Sequence, residues 1–320
     1  MRLFEHPEFE QAILAAEKHF AGRGLRAPVI EKDYYVTEAL RVIAQAAKDK
    51  VIFKGGTSLS KGWGLIDRFS EDIDLFLDPN AFTPALGTNA IDRELKRLRD
   101  QVARHPGLRF VADESKTIGG FGRSDRFAYQ RRFGGTGEVA NRVLLEVGTA
   151  SGRQPTAIVQ LRSFLAEYLE TAGHSLGAED ESAFPFRLLH FRRTFVEKLF
   201  AIHGKVEILK RDGRPLGTYA RHYYDLYRLS HRPEVMAMLR SGEYAAIKAD
   251  YDEISRRAFS RDYFPPEGMT FANSDALFPP EKLAKSIATE YEAQCRLLCY
   301  GAFPSWGEVQ QRFLEMRDML

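Results

Sequence analysis

Residues 53–77 read FKGGTSLSKGWGLIDRFSEDIDLFL. The glycine pair Gly55 and Gly56 is followed by three hydroxyl residues, and the stretch ends with Asp72 and Asp74 separated by one isoleucine. A surface loop requires neither feature. A buried strand avoids paired acids, because an uncompensated charge in the interior is costly. The combination therefore indicates a functional site.

The acidic end of this stretch predicts a strand. Acidic and apolar residues alternate in DIDLFL, and side chains two residues apart in a strand point to the same face. Asp72 and Asp74 are therefore expected to project together and to repel each other. A divalent cation relieves this repulsion, and carboxylate oxygens are ligands that suit Mg²⁺ or Mn²⁺.

The glycine-rich end of the stretch is typical of a phosphate-binding loop. Glycines let backbone N–H groups approach an anion, and the N-terminus of a following helix favours negative charge. Paired acids on an edge strand, or a Gly-Gly turn, are often purely structural when they occur alone. Their spacing here, between two predicted strands, favours a site for a nucleotide with a metal ion. The candidate nucleotide-binding residues are Lys54, Gly55, Gly56, Thr57 and Ser58.

The composition limits the class of protein and its possible partners. The 320 residues are 44% apolar and 28% charged, which is typical of a folded protein with one large or two ordinary domains. The net charge of +2 does not require a nucleic-acid partner, although local basic clusters still permit one. The sequence lacks an apolar run of about 20 residues and an N-terminal signal segment, so we expect a cytoplasmic protein that does not enter a membrane. Cys295 and Cys299 are too few for a structural zinc site and are expected to be reduced.

The order of predicted elements indicates an α+β fold. The first fifty residues are predicted to be helical, and short strands are predicted at VIF (51–53) and DIDLFL (72–77), followed by a helix at 90–105. Further strands are predicted at 108–113, 126–133 and 141–148, the last two forming a hairpin around the turn FGGTGE (133–138). Helices are predicted to dominate from about residue 157. We therefore expect a small mixed sheet with flanking helices in residues 1–175, and a helical domain in residues 176–320.

The sequence 54–77 resembles the signature of the AbiEii/AbiGii toxin family, which includes MenT-like proteins and belongs to the nucleotidyltransferase superfamily of DNA polymerase β. Three further segments resemble motifs of that family in the same order: EKDYYVTEAL (31–40), FVEKLFAI (195–202) and RHYYDLYRL (221–229). Together the motifs extend from about residue 31 to residue 229. The resemblance implies a polymerase β-like core with a metal-dependent transferase activity.

The resemblance also implies roles for residues of the core. Gly56 and Thr57 would contact the phosphates of a nucleoside triphosphate (NTP), and Asp72 and Asp74 would hold Mg²⁺ or Mn²⁺. Glu146 is the best candidate for the third metal-binding carboxylate of the superfamily. Aspartate is commoner at that position, and the alternative is a glutamate at a strand end that faces solvent.

The two later motifs imply that the helical domain contributes to the same active site. Lys198 would meet the triphosphate, and Asp225 would orient Lys198 or the metal site. The alternatives are a solvated lysine on a helix and a surface aspartate paired with Arg221 or Arg228.

The family resemblance points to transfer of a nucleoside monophosphate to RNA, with the 3′ end of tRNA as the acceptor and a cognate antitoxin as partner. The remaining alternatives are a small-molecule hydroxyl acceptor and a non-catalytic partner-binding module. Arginines alternate with aromatic residues in 123–133, and Arg192 and Arg193 precede Lys198, which is a pattern suited to RNA. The alternative is that these aromatic residues pack in the core. Ser70 is a candidate regulatory phosphorylation site, because a phosphate beside Asp72 would repel NTP.

Overall fold

The computed structural model describes residues 1–70, 72–134 and 140–320. These residues form two compact units. The first unit comprises Met1–Gly64, Phe69–Thr149 and Thr156–Leu189, and the second comprises Leu65–Arg68, Ala150–Pro155 and His190–Leu320. The first unit extends to Leu189, because a strand that ends at that residue belongs to it.

The first unit is built on a mixed sheet, to which the described residues contribute seven strands. The strands are β1 (Val51–Lys54), β2 (Asp72–Leu77), β3 (Arg109–Ile118), β4 (Gly122–Ala128), β5 (Arg142–Gly148), β6 (Thr156–Leu161) and β7 (Phe184–Leu189). Their order in the sheet is β3-β4-β5-β2-β1-β7-β6. The pairs β2–β5 and β1–β7 are parallel, and the other neighbours are antiparallel.

Helices flank this sheet. They are α1 (Phe9–His19), α2 (Ala27–Ala47), the single turn α3 (Gly55–Thr57), α4 (Thr88–Ala103) and α5 (Phe164–Thr171). One face of the central strands is apolar, and its side chains Ile73, Leu75, Val143 and Leu145 are buried. The other face of β2 and β5 carries half-buried residues at alternate positions, which is the period of a strand with one buried face.

Two of the strands were not predicted from the sequence. The prediction that helices dominate from residue 157 is wrong for β6 and β7. The motif FPFRLL of β7 contains Pro185, and proline is disfavoured inside a strand because it lacks an N–H donor. Pro185 is in register with Gln160 of β6, while β1 pairs with β7 at Phe53 and Leu188, away from the proline.

The predicted hairpin is placed differently along the chain. Strands β4 and β5 pair in the antiparallel sense, as predicted, but β4 ends at Ala128 and residues 129–133 lie beyond it. The predicted turn at 133–138 falls mostly outside the described residues.

The second unit is mainly helical, as the sequence predicts. Its helices are α6 (Phe191–Asp212), α7 (Arg221–Ser230), α8 (Pro233–Leu239), α9 (Gly242–Ala258), α10 (Glu281–Leu298) and α11 (Trp306–Met316). Cys295 and Cys299 lie at the end of α10 as free thiols. No helix in the described ranges is both long enough and apolar enough to cross a membrane.

Buried charges on α2 hold several segments of the first unit in place. The Glu31 carboxylate accepts backbone N–H groups of Arg132 at 2.8 Å and Phe133 at 3.2 Å. The Lys32 ammonium donates to the backbone carbonyls of Ala140 and Arg142. Both α2 side chains are fully buried. The charges therefore fix the chain on both sides of residues 134–139, as buried ionic groups require partners.

The neighbouring Asp33 anchors two further segments. Its carboxylate accepts the backbone N–H of Phe164 at 2.8 Å and pairs with the Lys61 ammonium at 2.6 Å. Lys61 follows the glycine loop, so α2 also stabilises the segment that leaves that loop.

Replacing Lys32 with methionine should lower the free energy of unfolding by about 1–3 kcal/mol, because two buried carbonyls lose their donor. Urea denaturation measures the change. The matched control is Lys96→Met on α4, which removes only an exposed pair with Asp92 and should change stability by less than about 0.5 kcal/mol. Equal effects of the two substitutions would contradict the structural role of Lys32.

Candidate active site

The predicted carboxylates lie on one face of the sheet. In the strand register Asp74 is opposite Lys54 of β1 and beside Glu146 of β5, and Glu146 is opposite Ser124 of β4. Residues in register share a face, so these four side chains form a polar row across four strands. Asp72 lies two residues from Asp74 on the same face.

The glycine loop closes against this row. Gly55 has φ +78°, a left-handed conformation that favours glycine. A Cβ atom at this position would lie 2.0 Å from Asp74 Oδ2. The loop backbone can therefore approach the carboxylate only because residue 55 has no side chain.

The hydroxyl groups of the loop stabilise its shape. Thr57 Oγ1 lies 2.6 Å from the Asp72 carbonyl oxygen and 2.9 Å from Ser70 Oγ. Ser58 Oγ donates to the Gly55 carbonyl at 2.9 Å. These contacts tie the loop to the start of β2. Ser70 takes part in them, so a phosphoryl group at this serine would fall on the contact between the loop and the strand.

The aspartates fit a hard divalent cation. Among the residues that the structure describes, no three His, Cys, Asp or Glu side chains gather as a metal centre. Mg²⁺ does not need such a cage, because nucleotide enzymes bind it through one or two carboxylates together with substrate phosphates. The oxygen donors of Asp72 and Asp74, beside a glycine loop, meet that requirement. The role of Glu146 as a third ligand stays a prediction.

A second polar cluster lies within the second unit around Asp225, which is completely buried. The Arg68 guanidinium donates from Nε and Nη2 to the two carboxylate oxygens, each at 2.7 Å. The Lys198 ammonium lies 2.7 Å from Asp225 Oδ2 and 3.0 Å from Nδ1 of His222. One carboxylate thus holds two cations.

The electrostatics of this cluster leave it positively charged. Burial alone would raise the pKa of Asp225, but the charges of Arg68 and Lys198 hold that pKa well below its ordinary value. Burial lowers the pKa of Lys198, although Asp225 opposes the change. Burial and the Lys198 charge lower the pKa of His222 to about 3, so its ring is neutral beside the ammonium. An excess buried cation favours a nearby anion.

Arg68 is a member of this cluster that was not predicted from the sequence. Asp225 pairs with Arg68 and Lys198, while Arg228 pairs with Asp67 at 2.8 Å. The available signal was the position of Arg68 inside the signature stretch, but arginine is normally a surface residue. His222 was also missed, although it stands three residues before Asp225 in the same motif.

The aromatic residues of 123–133 mostly pack in the core. Phe127 and Tyr129 are buried, and the buried Arg123 forms a bidentate pair with Asp125 at 2.6 and 2.9 Å. Arg193 pairs with Glu197 and Asp250, and Arg192 pairs with Glu243. The alternative interpretation, core packing, is therefore correct for Phe127 and Tyr129.

A glycine loop that closes on paired aspartates of a mixed sheet is an arrangement found in nucleotidyltransferases. The sequence profile of the family described as "Nucleotidyl transferase AbiEii toxin, Type IV TA system" matches residues 39–300. The chain belongs to this family, so the predicted family and the predicted enzyme class are confirmed.

Among solved structures, MenT4, a nucleotidyltransferase toxin from Mycobacterium tuberculosis H37Rv, is similar to this chain. The TM-score is 0.48 and the identity is 17%, with 96% of each chain covered. A comparison with curated protein sequences gave no match.

Replacing Gly55 with alanine should abolish nucleotide binding and lower the free energy of unfolding. The left-handed conformation alone costs about 1–2 kcal/mol, and the added methyl group would displace Asp74. Calorimetric titration with NTP and urea denaturation measure the two effects. Gly22→Ala is the control, because nothing lies within 4 Å of its added Cβ. Normal nucleotide affinity in Gly55→Ala would contradict the proposed geometry.

Replacing Asp225 with asparagine should lower the free energy of unfolding by about 3–5 kcal/mol, because two buried cations lose their counter-charge. Lys198→Met should lower the free energy of unfolding by less, since the pair between Arg68 and Asp225 remains. Urea denaturation of both variants measures the difference, and an equal loss in the two would contradict the central role of Asp225.

The same cluster predicts a pH dependence. The folded pKa of Asp225 lies below the unfolded value of about 3.9. Its contribution to stability is therefore complete above about pH 4 and is lost as the pH falls through the folded value. Stability measured against pH should fall less steeply in acid for Asp225→Asn than for the wild type. Parallel curves would contradict this assignment.

Proposed function

We propose that this nucleotidyltransferase transfers a nucleoside monophosphate from NTP to the 3′-terminal hydroxyl of an RNA, with tRNA as the acceptor. The observation that carries the proposal is the polar row with Asp74 and Glu146, which shares its sheet face with Asp72 and lies beside the Gly55 loop. In the reaction the acceptor oxygen forms a bond to the α-phosphorus. The bond from that phosphorus to the β-phosphate oxygen breaks, and pyrophosphate leaves.

Asp72 and Asp74 are the proposed ligands of Mg²⁺ or Mn²⁺, with Glu146 as the third carboxylate. Such ions, when bound, neutralise phosphate charge and lower the pKa of an attacking hydroxyl. Glu146 is also the proposed acceptor of the proton of that hydroxyl, and its register position beside Asp74 supports this role. Backbone N–H groups of residues 55–58 would hold the phosphates.

Lys198 is proposed to neutralise the triphosphate, with Asp225 as the residue that positions it. Two facts support these roles. Lys198 lies in a family motif, and it carries the unbalanced positive charge of the cluster around Asp225. A buried lysine with a lowered pKa keeps its proton more readily when an anion binds near it.

The tRNA acceptor, the cytoplasmic location and a cognate antitoxin that restrains the activity are further parts of the proposal. They are supported by membership of a family of toxins from type IV toxin–antitoxin systems. Phosphorylation of Ser70 is proposed as an additional means of inhibition, because this side chain contacts the Thr57 hydroxyl at 2.9 Å.

Incubating the purified protein with total tRNA, Mg²⁺ or Mn²⁺ and each NTP, labelled at either the α- or the γ-phosphate, tests the proposal. The α-label should appear on RNA and the γ-label should not. Asp72→Asn should slow transfer by roughly 10²–10³-fold, the loss expected when one group that stabilises transition-state charge is removed. The exposed Asp49→Asn is the matched control.

Three results would contradict parts of the proposal. Absence of α-label on tRNA, with transfer to small molecules when a cell extract is added, would refute the RNA acceptor. Full activity of Asp72→Asn would refute its role, and γ-label on RNA would show a different reaction.

A further inference from the structure

A cavity of about 600 Å³ lies in the first unit, away from the nucleotide loop. It is bounded by the ends of β3, β4 and β5 and by parts of α2 and the N-terminal segment. The lining residues that the argument uses are Arg109, Gln130, Arg132, Asn141 and Arg142. The cavity therefore presents three guanidinium groups and two side-chain amides.

The charges at the cavity favour an anion. Arg142 forms a bidentate pair with Glu114 at 2.9 and 3.0 Å, and Arg126 donates to the Glu114 carbonyl at 2.6 Å. Arg109 is exposed and forms no ion pair in the described part of the chain. Three arginines, Arg109, Arg132 and Arg142, line the cavity against one carboxylate, Glu5, and this surplus of positive charge attracts phosphate.

Hydrogen bonds hold two of the three arginines at the cavity. Arg132 donates to the Phe4 carbonyl at 2.5 Å, and Glu31 accepts its backbone N–H. The backbone carbonyl of Arg142 accepts from the buried Lys32. These contacts hold Arg132 and Arg142 in place before a ligand arrives, which reduces the entropic cost of binding.

Three residues at the cavity lie on the same sheet face as the aspartates. Arg109 of β3 pairs with Ala128 of β4, and Ala128 pairs with Arg142 of β5. Arg142 lies two residues before Leu144, the register partner of Asp72, so the separation along the strand is about 7 Å. This separation between Arg142 and the level of Asp72 is comparable to the length of one nucleotide in a single strand.

We infer that the cavity binds an unpaired nucleotide of the RNA acceptor, adjacent to the terminal nucleotide that reacts at Asp72 and Asp74. Arg109 and Arg142 contact its phosphate, and the amides of Gln130 and Asn141 contact the edge of its base. This inference rests on the proposed function and assigns the acceptor side of that same site. Single-stranded RNA is the fitting ligand, because its bases are free to enter a pocket.

Fluorescence anisotropy without NTP tests the inference, with a 5′-fluorescein oligoribonucleotide as the probe, either single-stranded or annealed to its complement. Arg109→Glu should raise the dissociation constant for the single strand about tenfold and reduce the salt slope by about one or more. Gln130→Ala should weaken binding less. Arg93→Glu is the control, because this exposed residue on α4 undergoes the same change in charge. The KM for NTP should stay unchanged in all three variants.

Different results overturn the inference and the proposed function. Equal weakening by Arg109→Glu and Arg93→Glu, or equal affinity for the duplex and the single strand, would overturn the acceptor cavity while RNA labelling by the wild type continued. Absence of RNA binding and of RNA labelling in the wild type would overturn the RNA acceptor itself.

Discussion

The parallel pairing of β2 with β5 is the constraint on which the first unit depends. It brings Glu146 beside Asp74, in a strand where Asp72 already shares the same face. Like charges at this spacing repel, so the arrangement persists only with partners for the charge. The structure offers Lys54 in register with Asp74 and a glycine loop whose backbone closes on that carboxylate. The same features that relieve the repulsion suit a cation and a phosphate.

The polar cluster of the second unit carries an excess of the opposite charge. There the carboxylate of Asp225 is buried and two cations surround it, so the excess is positive. Bidentate pairing with Arg68 fixes the carboxylate, which in turn fixes the Lys198 ammonium. On α2 of the first unit, the buried charges of Glu31 and Lys32 instead form hydrogen bonds with backbone groups. The carboxylates of the sheet and the cluster around Asp225 are thus suited to a ligand, whereas the buried charges of α2 are structural.

The sequence predicted the central features because they are local. Alternation in DIDLFL and the spacing of the GGTS loop determine where Asp72 and Asp74 lie relative to each other, and family resemblance supplied Glu146, Lys198 and Asp225. The sequence did not predict β6 and β7. Pro185 is atypical of a strand, and β7 is stabilised by its pairing with β6. The sequence also missed Arg68, whose partner is 157 residues away in the chain. Long-range pairing of this kind leaves no periodic signal in one sequence.

The central claim is that Asp74 and its neighbours bind a metal ion together with a nucleotide. Calorimetric titration of Mn²⁺ in the presence of a non-hydrolysable NTP analogue tests it most directly. We expect the wild type and Asp49→Asn to bind the Mn²⁺–nucleotide complex with equal affinity, and Asp74→Asn to bind it at least roughly tenfold more weakly. Unchanged affinity in Asp74→Asn would contradict the account, because the polar row would then have no part in holding the metal.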